Sequence, residues 1–336
     1  MRWVLLICFI CCGCSLSSKK VQEFRGIAMT IPYHIIVSAP ANPSLESLIQ
    51  TTFAEIDATY NYWNPDSELS SLNRWKSQKP FQCSEQLWSL LQWCDRFVLY
   101  SNALFDPTIA PLQRAWRESL EKNTIPSRKS LQALQKKLGW EQLLFLNNRK
   151  IIKKNPLTTL DLGGIAKGYA VDLLVERLST LCSSLYVEWG GEIRVQGNHP
   201  EGRPWKIGIR DPVQPKKIVT TIELTDAAIA TSGNYLQYWE IEENGKQKKL
   251  SHIMNTQTQK PYEITSTKIN SVTVQASSCL AADAIATILL MTENQKQATD
   301  LIAKKLQSTF PELRCWIFSS QQLQEEELSI RTRYKK

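Results

Sequence analysis

The sequence predicts an α+β fold. Three observations predict it. Apolar residues at helical spacing and β-rich runs are interspersed without a regular βαβ alternation. No internal repeat is visible. The 336 residues are 43% hydrophobic and 21% charged, which excludes a disordered chain and suffices for a sizeable core. At roughly 150 residues per domain, this length allows two domains or one large α+β unit.

The first fourteen residues, MRWVLLICFICCGC, read as an address. Arg2 is a short positive region, and Trp3 to Cys12 is an apolar run far short of the roughly 20 residues that span a bilayer. No later stretch is long and charge-free enough to span. The run ends at Gly13-Cys14, which resembles a bacterial lipoprotein signal whose cysteine is lipidated after cleavage. Cys14 is the expected acceptor and Cys12 the alternative; the usual Leu three residues earlier is replaced by Cys11. An ordinary signal peptide is the competing reading. The expected organisation is a signal segment at 1–14, a polar tether at 15–24, a folded domain at 25–320 and a charged tail at 321–336. The expected location is the cell membrane, lipid-anchored and facing the periplasm.

Residues 27–38 are β-rich, with Pro32 marking an edge or bulge. A stripe of Leu45, Leu48, Ile49, Phe53 and Ile56 predicts a helix over 44–60, with Ser44 as its cap. Turn residues make 61–75 irregular, and a second helix covers 84–100. Residues 103–116 hold two prolines and read as a loop; 127–139 reads as a helix and 156–162 as a strand. A helix follows from about Ile165 to Leu181. Strands are expected near 185–188, 192–196, 204–210, 218–224, 270–276 and 315–319, and helices at 281–291 and 294–308.

Composition narrows the chemistry. Forty basic and 32 acidic residues give a formal charge of +8, and the lysine doublets are scattered. That describes a solvated surface favoured near anionic lipid, not a nucleic-acid footprint. Three histidines (His34, His199 and His252) exclude a His-rich zinc site. Five cysteines follow the signal segment, Cys83, Cys94, Cys182, Cys279 and Cys315, without metal-ligand spacing; they read as small buried hydrophobes.

Several segments carry candidate chemistry. In Asp161-Leu-Gly-Gly-Ile-Ala-Lys167-Gly168, two glycines precede a helix N-terminus, and Lys167 adds a full charge beside the unpaired N–H groups. Phosphate binding and a plain tight turn fit it equally. Asp283 lies in an otherwise apolar helix, with Thr287 four residues on. Both side chains share one face and offer a hard-cation half-site; an exposed Asp near the helix start is the alternative. Ser251-His252, Thr231-Ser232-Gly233-Asn234-Tyr235 and Gly190-Gly191-Glu192 complete the set, each weak alone.

In order, these segments resemble the ApbE family of FAD:protein FMN transferases. The resemblance rests on Met29-Thr30, Trp63 to Ser70 with Asn73, Phe105-Asp106-Pro-Thr108 with Pro111-Leu112, and Asp161 to Ala170. It continues through Gly190-Gly191-Glu192, Trp205 to Pro212, Ala230 to Tyr235, Ser251-His252-Ile253, Val272 to Val274, and Ala282-Asp283-Ala284 with Thr287. It implies a fold similar to the tunnelling fold, FAD as substrate, Mg²⁺ as cofactor and transfer of FMN to a Ser or Thr of an acceptor flavoprotein with release of AMP. It implies FAD contacts at Met29, Trp63, Leu104, Phe105, Asp106, Asp161, Lys167 and His252. It implies Mg²⁺ ligands at the Gly164 carbonyl, Asp283 and Thr287, with His252 as base beside Lys167 and Asp283. A subunit of a sodium-translocating NADH:quinone reductase is the implied kind of acceptor. The same site would also serve an FAD pyrophosphatase or a non-catalytic FAD-binding lipoprotein. Two departures stand out. The family's Asp-Pro and Thr-Gly after His-Ile are replaced by Asn255-Thr256-Gln257-Thr258-Gln259, and Trp189 precedes the double glycine where a smaller polar residue is usual.

Overall fold

The computed structural model describes residues 21–319, apart from 40, 41, 213, 215, 235–237, 244, 266, 267 and 293, together with the Glu326–Glu327 strand. The signal segment and most of the charged tail lie outside the described residues. Strands β1 (Val21–Ala28) and β2 (Ile31–Ser38) form an antiparallel hairpin. Met29 and Thr30 turn it with φ of 49° and 66°, left-handed values that match a two-residue turn to the strand twist. Residues 27–38 are therefore two strands and not one. Pairing begins at Val21, so residues 21–24 belong to the sheet and not to a tether.

Helix α1 (Ser44–Tyr60) follows, and it is Asn42 that closes its start: Asn42 Oδ1 accepts from the Ser44 N–H at 3.0 Å and from its hydroxyl at 2.6 Å. A short helix α2 (Glu68–Arg74) lies in the segment expected to be irregular, because Ser67 Oγ accepts from the Ser70 N–H and starts it. Then come β3 (Phe81–Gln82) and α3 (Glu85–Tyr100), the latter capped by Ser84. Helix α4 (Ala110–Leu120) begins inside the expected loop, since Pro111 occupies the first turn, where no N–H is needed. After α5 (Arg128–Gln135), strands β4 (Leu143–Leu146) and β5 (Lys150–Lys153) join β3 in a small sheet. Residues 156–162 are not a strand. The Asn73 side chain takes both backbone groups of Leu160, accepting from its N–H at 2.7 Å and donating to its carbonyl at 2.9 Å.

The remaining elements are α6 (Ala166–Ser179), β6 (Leu185–Trp189), β7 (Glu192–Gln196), the hairpin β8 (Trp205–Arg210) and β9 (Ile218–Leu224), and β10 (Ala228–Gly233). A three-stranded sheet follows, β11 (Tyr238–Glu243), β12 (Lys246–Asn255) and β13 (Lys260–Glu263). The described residues end with β14 (Ile269–Ala276), α7 (Cys279–Leu290), α8 (Gln295–Leu301), a wider turn at Ile302–Leu306, β15 (Arg314–Ser319) and β16 (Glu326–Glu327).

The main sheet is antiparallel throughout, in the order β1-β2-β6-β7-β10-β14-β15-β16. Helices α6 and α7 pack on one face, burying Val171 and Leu174 of α6 and Ala284 and Ile288 of α7 with Val187 and Val274 of the sheet. Trp205, Ile207 and Ile209 of the β8–β9 hairpin cover Ile193, Ile229 and Trp316 on the other face. An α+β architecture is thus present, with the expected mixture of elements. The five cysteines that follow the signal segment are all buried and free. Among the described residues, no helix is long and apolar enough to cross a membrane.

Candidate active site

The site is built where α6 and α7 meet end to side. The Asp161 carboxylate accepts from the Gly163 N–H at 2.7 Å, which shapes the turn into α6. At Gly164 a side chain would crowd its surroundings: an added Cβ would lie 3.2 Å from Thr287 Cγ2 and 3.3 Å from Phe105 Cε2. At Gly168 it would meet the Cys279 carbonyl oxygen at 2.3 Å. These glycines let the α6 N-terminus press against α7. There the Gly168 N–H donates to Asp283 Oδ2 at 2.9 Å. Asp283 is only 3% exposed, so it is not the solvent-facing Asp of the alternative reading.

A cavity of about 520 Å³ opens at this junction. Leu104, Phe105 and Asp106 form one wall, and Asp161, Gly164 and Lys167 another. Asp283 and Thr287 enter from α7, and His252 from β12. Ser232 of β10 also lines it, with its hydroxyl 3.1 Å from that of Thr287. Thr231, Ser232 and Gly233 are therefore the end of a strand that faces the site. A wider opening of about 900 Å³ adjoins it, sharing Gln113, Asp161, His252 and Met254 and adding Arg117, Tyr238, Trp239 and Glu240. Two expected FAD contacts are placed elsewhere. Met29 sits in the β1–β2 turn, and Trp63 is 68% exposed, with the Arg117 guanidinium 4.8 Å from its ring centre. Neither is among the described residues that line the inner cavity. Through Arg117, Trp63 borders the outer opening.

Charge in the cavity is concentrated and largely buried. Lys167 Nζ is ion-paired with Glu192 Oε1, and the Glu192 side chain is almost wholly buried. Burial, with Asp283 nearby, pushes the Glu192 carboxyl up to about 7 against the pull of Lys167. Burial also raises the Asp283 carboxyl, opposed by Lys167 and the Gly168 N–H. Burial alone would lower the Lys167 ammonium, but Glu192 and Asp283 together raise it. Asp161 is raised by burial, with the Gly163 N–H, Gln113, Arg117 and His252 pulling the other way. Asp106 is raised by burial too, and its Oδ1 accepts from both the Thr108 N–H and hydroxyl, at 2.9 and 2.7 Å. Part of its hydrogen-bonding capacity is therefore spent on the local turn.

Glu192 received no role from the sequence. Its signal was the double glycine before it: Gly190 and Gly191 take φ of 67° and 102°, a turn that aims the next side chain inward. The two departures from the family pattern are accommodated. Asn255 Oδ1 accepts from the Gln257 and Thr258 N–H groups, both at 2.9 Å, as a carboxylate would. Gln259 takes the left-handed conformation, φ 58°, where the family has glycine. Trp189 is buried in the core, 5.5 Å from Phe53 between ring centres.

The described residues contain no group of three or more His, Cys, Asp or Glu that could hold a metal. The donors that converge are oxygens: the Asp283 carboxylate and the Thr287 hydroxyl, beside the Gly164 peptide. That set suits a hard cation, with substrate and water completing its shell.

The ApbE family model matches residues 29–310, most of the chain. The chain belongs to the ApbE family. An ApbE relative, the FAD:protein FMN transferase of Chlamydia pneumoniae, is 41% identical over 301 residues, covering 88% of this chain and 92% of the relative. The fold is similar to that of the flavin transferase ApbE from Vibrio cholerae, with a TM-score of 0.76, 28% identity and coverage of 89% and 94% of the two chains. It is also similar to the apo Pseudomonas stutzeri flavinyl transferase ApbE, with a TM-score of 0.77, 25% identity and coverage of 90% and 92%. ApbE membership makes the chain an enzyme of the transferase class.

Proposed function

We propose that the chain is a Mg²⁺-dependent FAD:protein FMN transferase, which moves FMN from FAD onto a Ser or Thr hydroxyl of an acceptor flavoprotein and releases AMP. The observation that carries this reading is the convergence of Gly164, Lys167, His252, Asp283 and Thr287 on one cavity. The names of the relatives, FAD:protein FMN transferase, support its coarser part, the transfer of FMN from FAD to a protein.

The chemistry needs charge neutralisation at the pyrophosphate, help for the leaving oxygen and a base for the hydroxyl. Lys167 and the Gly163–Gly164 turn would receive the phosphates. Asp283, Thr287 and the Gly164 carbonyl would hold Mg²⁺, which when bound offsets charge on the phosphate oxygens. His252 borders both the inner cavity and the wider opening. A hydroxyl arriving through that opening would pass its proton to His252 as its oxygen bonds to the FMN phosphorus. The bond from that phosphorus to AMP breaks, and AMP leaves with the electron pair.

Export and anchoring through Cys14, with Cys12 as the alternative, would place the site at the membrane facing the periplasm. A flavin-carrying subunit of a sodium-translocating NADH:quinone reductase is the candidate acceptor. Changing both cysteines to Ser is expected to move the protein from the membrane to the soluble fraction, and unchanged fractionation would refute the anchor.

The activity is tested with protein lacking residues 1–14, given FAD, Mg²⁺ and an acceptor fragment bearing the modified Thr. Covalent flavin fluorescence on the acceptor after denaturing electrophoresis is expected, and EDTA or Asp283→Ala should abolish it. AMP and free FMN with an unlabelled acceptor would replace transfer by FAD hydrolysis. Tight FAD binding without turnover would make the protein a binder.

A further inference from the structure

Helices α6 and α7 exchange carboxylates. Asp283 of α7 accepts from the Gly168 N–H in the first turn of α6. In return, Asp172 of α6 accepts from the first two N–H groups of α7, Cys279 N–H at 2.8 Å on Oδ1 and Leu280 N–H at 2.9 Å on Oδ2. The third, Ala281 N–H, goes to Ser278 Oγ at 3.3 Å. Arg194 of β7 holds Asp172 from behind, with Nη1 2.6 Å from Oδ1. Each carboxylate thus satisfies helix-terminal donors that would otherwise be buried unpaired. The backbones touch at Gly168, so there is no slack for α7 to slide.

We propose that Asp172 is the positioning residue of the cation half-site: by fixing the α7 N-terminus on α6, it sets Asp283 and Thr287 against Gly164. This rests on the reading of Asp283 and Thr287 as cation ligands. Asp172 contacts neither the cation nor the substrate in this role. Its bidentate grip stops α7 from rotating or sliding along α6, and Asp283 and Thr287 lie only one and two turns further along α7.

The test measures Mg²⁺ binding by calorimetry on the chain lacking residues 1–14, together with the Mg²⁺ dependence of transfer. Asp172→Ala and Asp172→Asn are compared with wild type, with Asp283→Ala, and with Arg177→Gln, which breaks the contacts of the same helix with Glu55 and Thr52. Asp172→Asn keeps the shape and one acceptor oxygen, so it serves if the alanine variant fails to fold. The expected result is Mg²⁺ affinity at least tenfold weaker in both Asp172 variants, with kcat recovering at high Mg²⁺, and wild-type affinity in Arg177→Gln. A purely structural loss would lower kcat at every Mg²⁺ concentration and leave the affinity of the folded fraction unchanged. That outcome, with binding still lost in Asp283→Ala, overturns the role of Asp172 alone. Wild-type protein that binds no Mg²⁺, or an unaffected Asp283→Ala, overturns the cation site and this inference with it.

Discussion

Gly164 and Thr287 are packed so that a methyl group added to the glycine would stand 3.2 Å from Thr287 Cγ2 and 3.4 Å from its Oγ1. The hydroxyl proposed as a cation ligand therefore leans directly on the turn that precedes α6. A methyl here forces shifts of a few tenths of an ångström in Thr287 and Phe105. Gly164→Ala is expected to lower transfer about tenfold through misplacement of the ligand, with little change in melting temperature. Gly168→Ala should do the reverse of sparing the fold. Its methyl meets a backbone oxygen, and a cost of about 3 kcal/mol is expected in a urea melt.

Glu192 gives stability an unusual pH dependence. Its carboxyl lies near 7 in the folded chain against an ordinary value of 4.5, so the folded state binds the proton more tightly. The stabilisation is fully present below pH 4.5 and is lost as pH rises through about 7. Melting temperatures measured from about pH 5 to about pH 8 should fall, and Glu192→Gln should flatten that fall. An identical slope in the variant would remove Glu192 as its source.

Gln259 holds a left-handed conformation that glycine adopts freely. The strain relieved exceeds the entropy glycine adds to the unfolded chain. Gln259→Gly is expected to stabilise the protein by about 0.5–1 kcal/mol in chemical denaturation. The Trp116 indole N–H donates to the Gln259 carbonyl at 2.9 Å, a bond that the substitution keeps.

His252 is the proposed base. His252→Asn should retain FAD binding and lose about 10²–10⁴-fold in kcat. Wild-type kcat in the variant would move the proton to another group.

The long helices were legible because their apolar stripes face a core. Leu87, Leu90, Leu91, Cys94 and Phe97 repeat at helical spacing in α3, and all are buried. The β11–β12 hairpin was not legible. Its lysines carry no strand signal of their own, yet they lie in β12: Lys249 stands opposite Glu240 and pairs with it at 3.3 Å, and Lys248 reaches diagonally to Glu243 at 2.8 Å. These opposite charges support the outer face, while Trp239 and Ile241 alternate on the inner face and pack against the cluster that holds Leu250 and Met254. Residues 156–162 misled in the opposite sense, since Leu160 has strand-like neighbours but spends its backbone bonds on Asn73. At the site, the residues that carry a local motif were visible. The role of Glu192 and the presence of Asp172 were not, because their meaning depends on partners 25 and 107 residues away.

The five buried cysteines bear on where such a chain can work. Burial pushes the Cys83 and Cys315 thiols up to about 12, and raises those of Cys94, Cys182 and Cys279 as well. At pH 7 a thiol of that kind is ionised in about one molecule in 10⁵, and only the thiolate attacks a disulfide or meets an oxidant. Burial in the folded chain shields these five thiols from the redox state around them. An odd number of thiols, ordinarily a hazard of mispairing in an oxidising compartment, becomes part of the hydrocarbon interior.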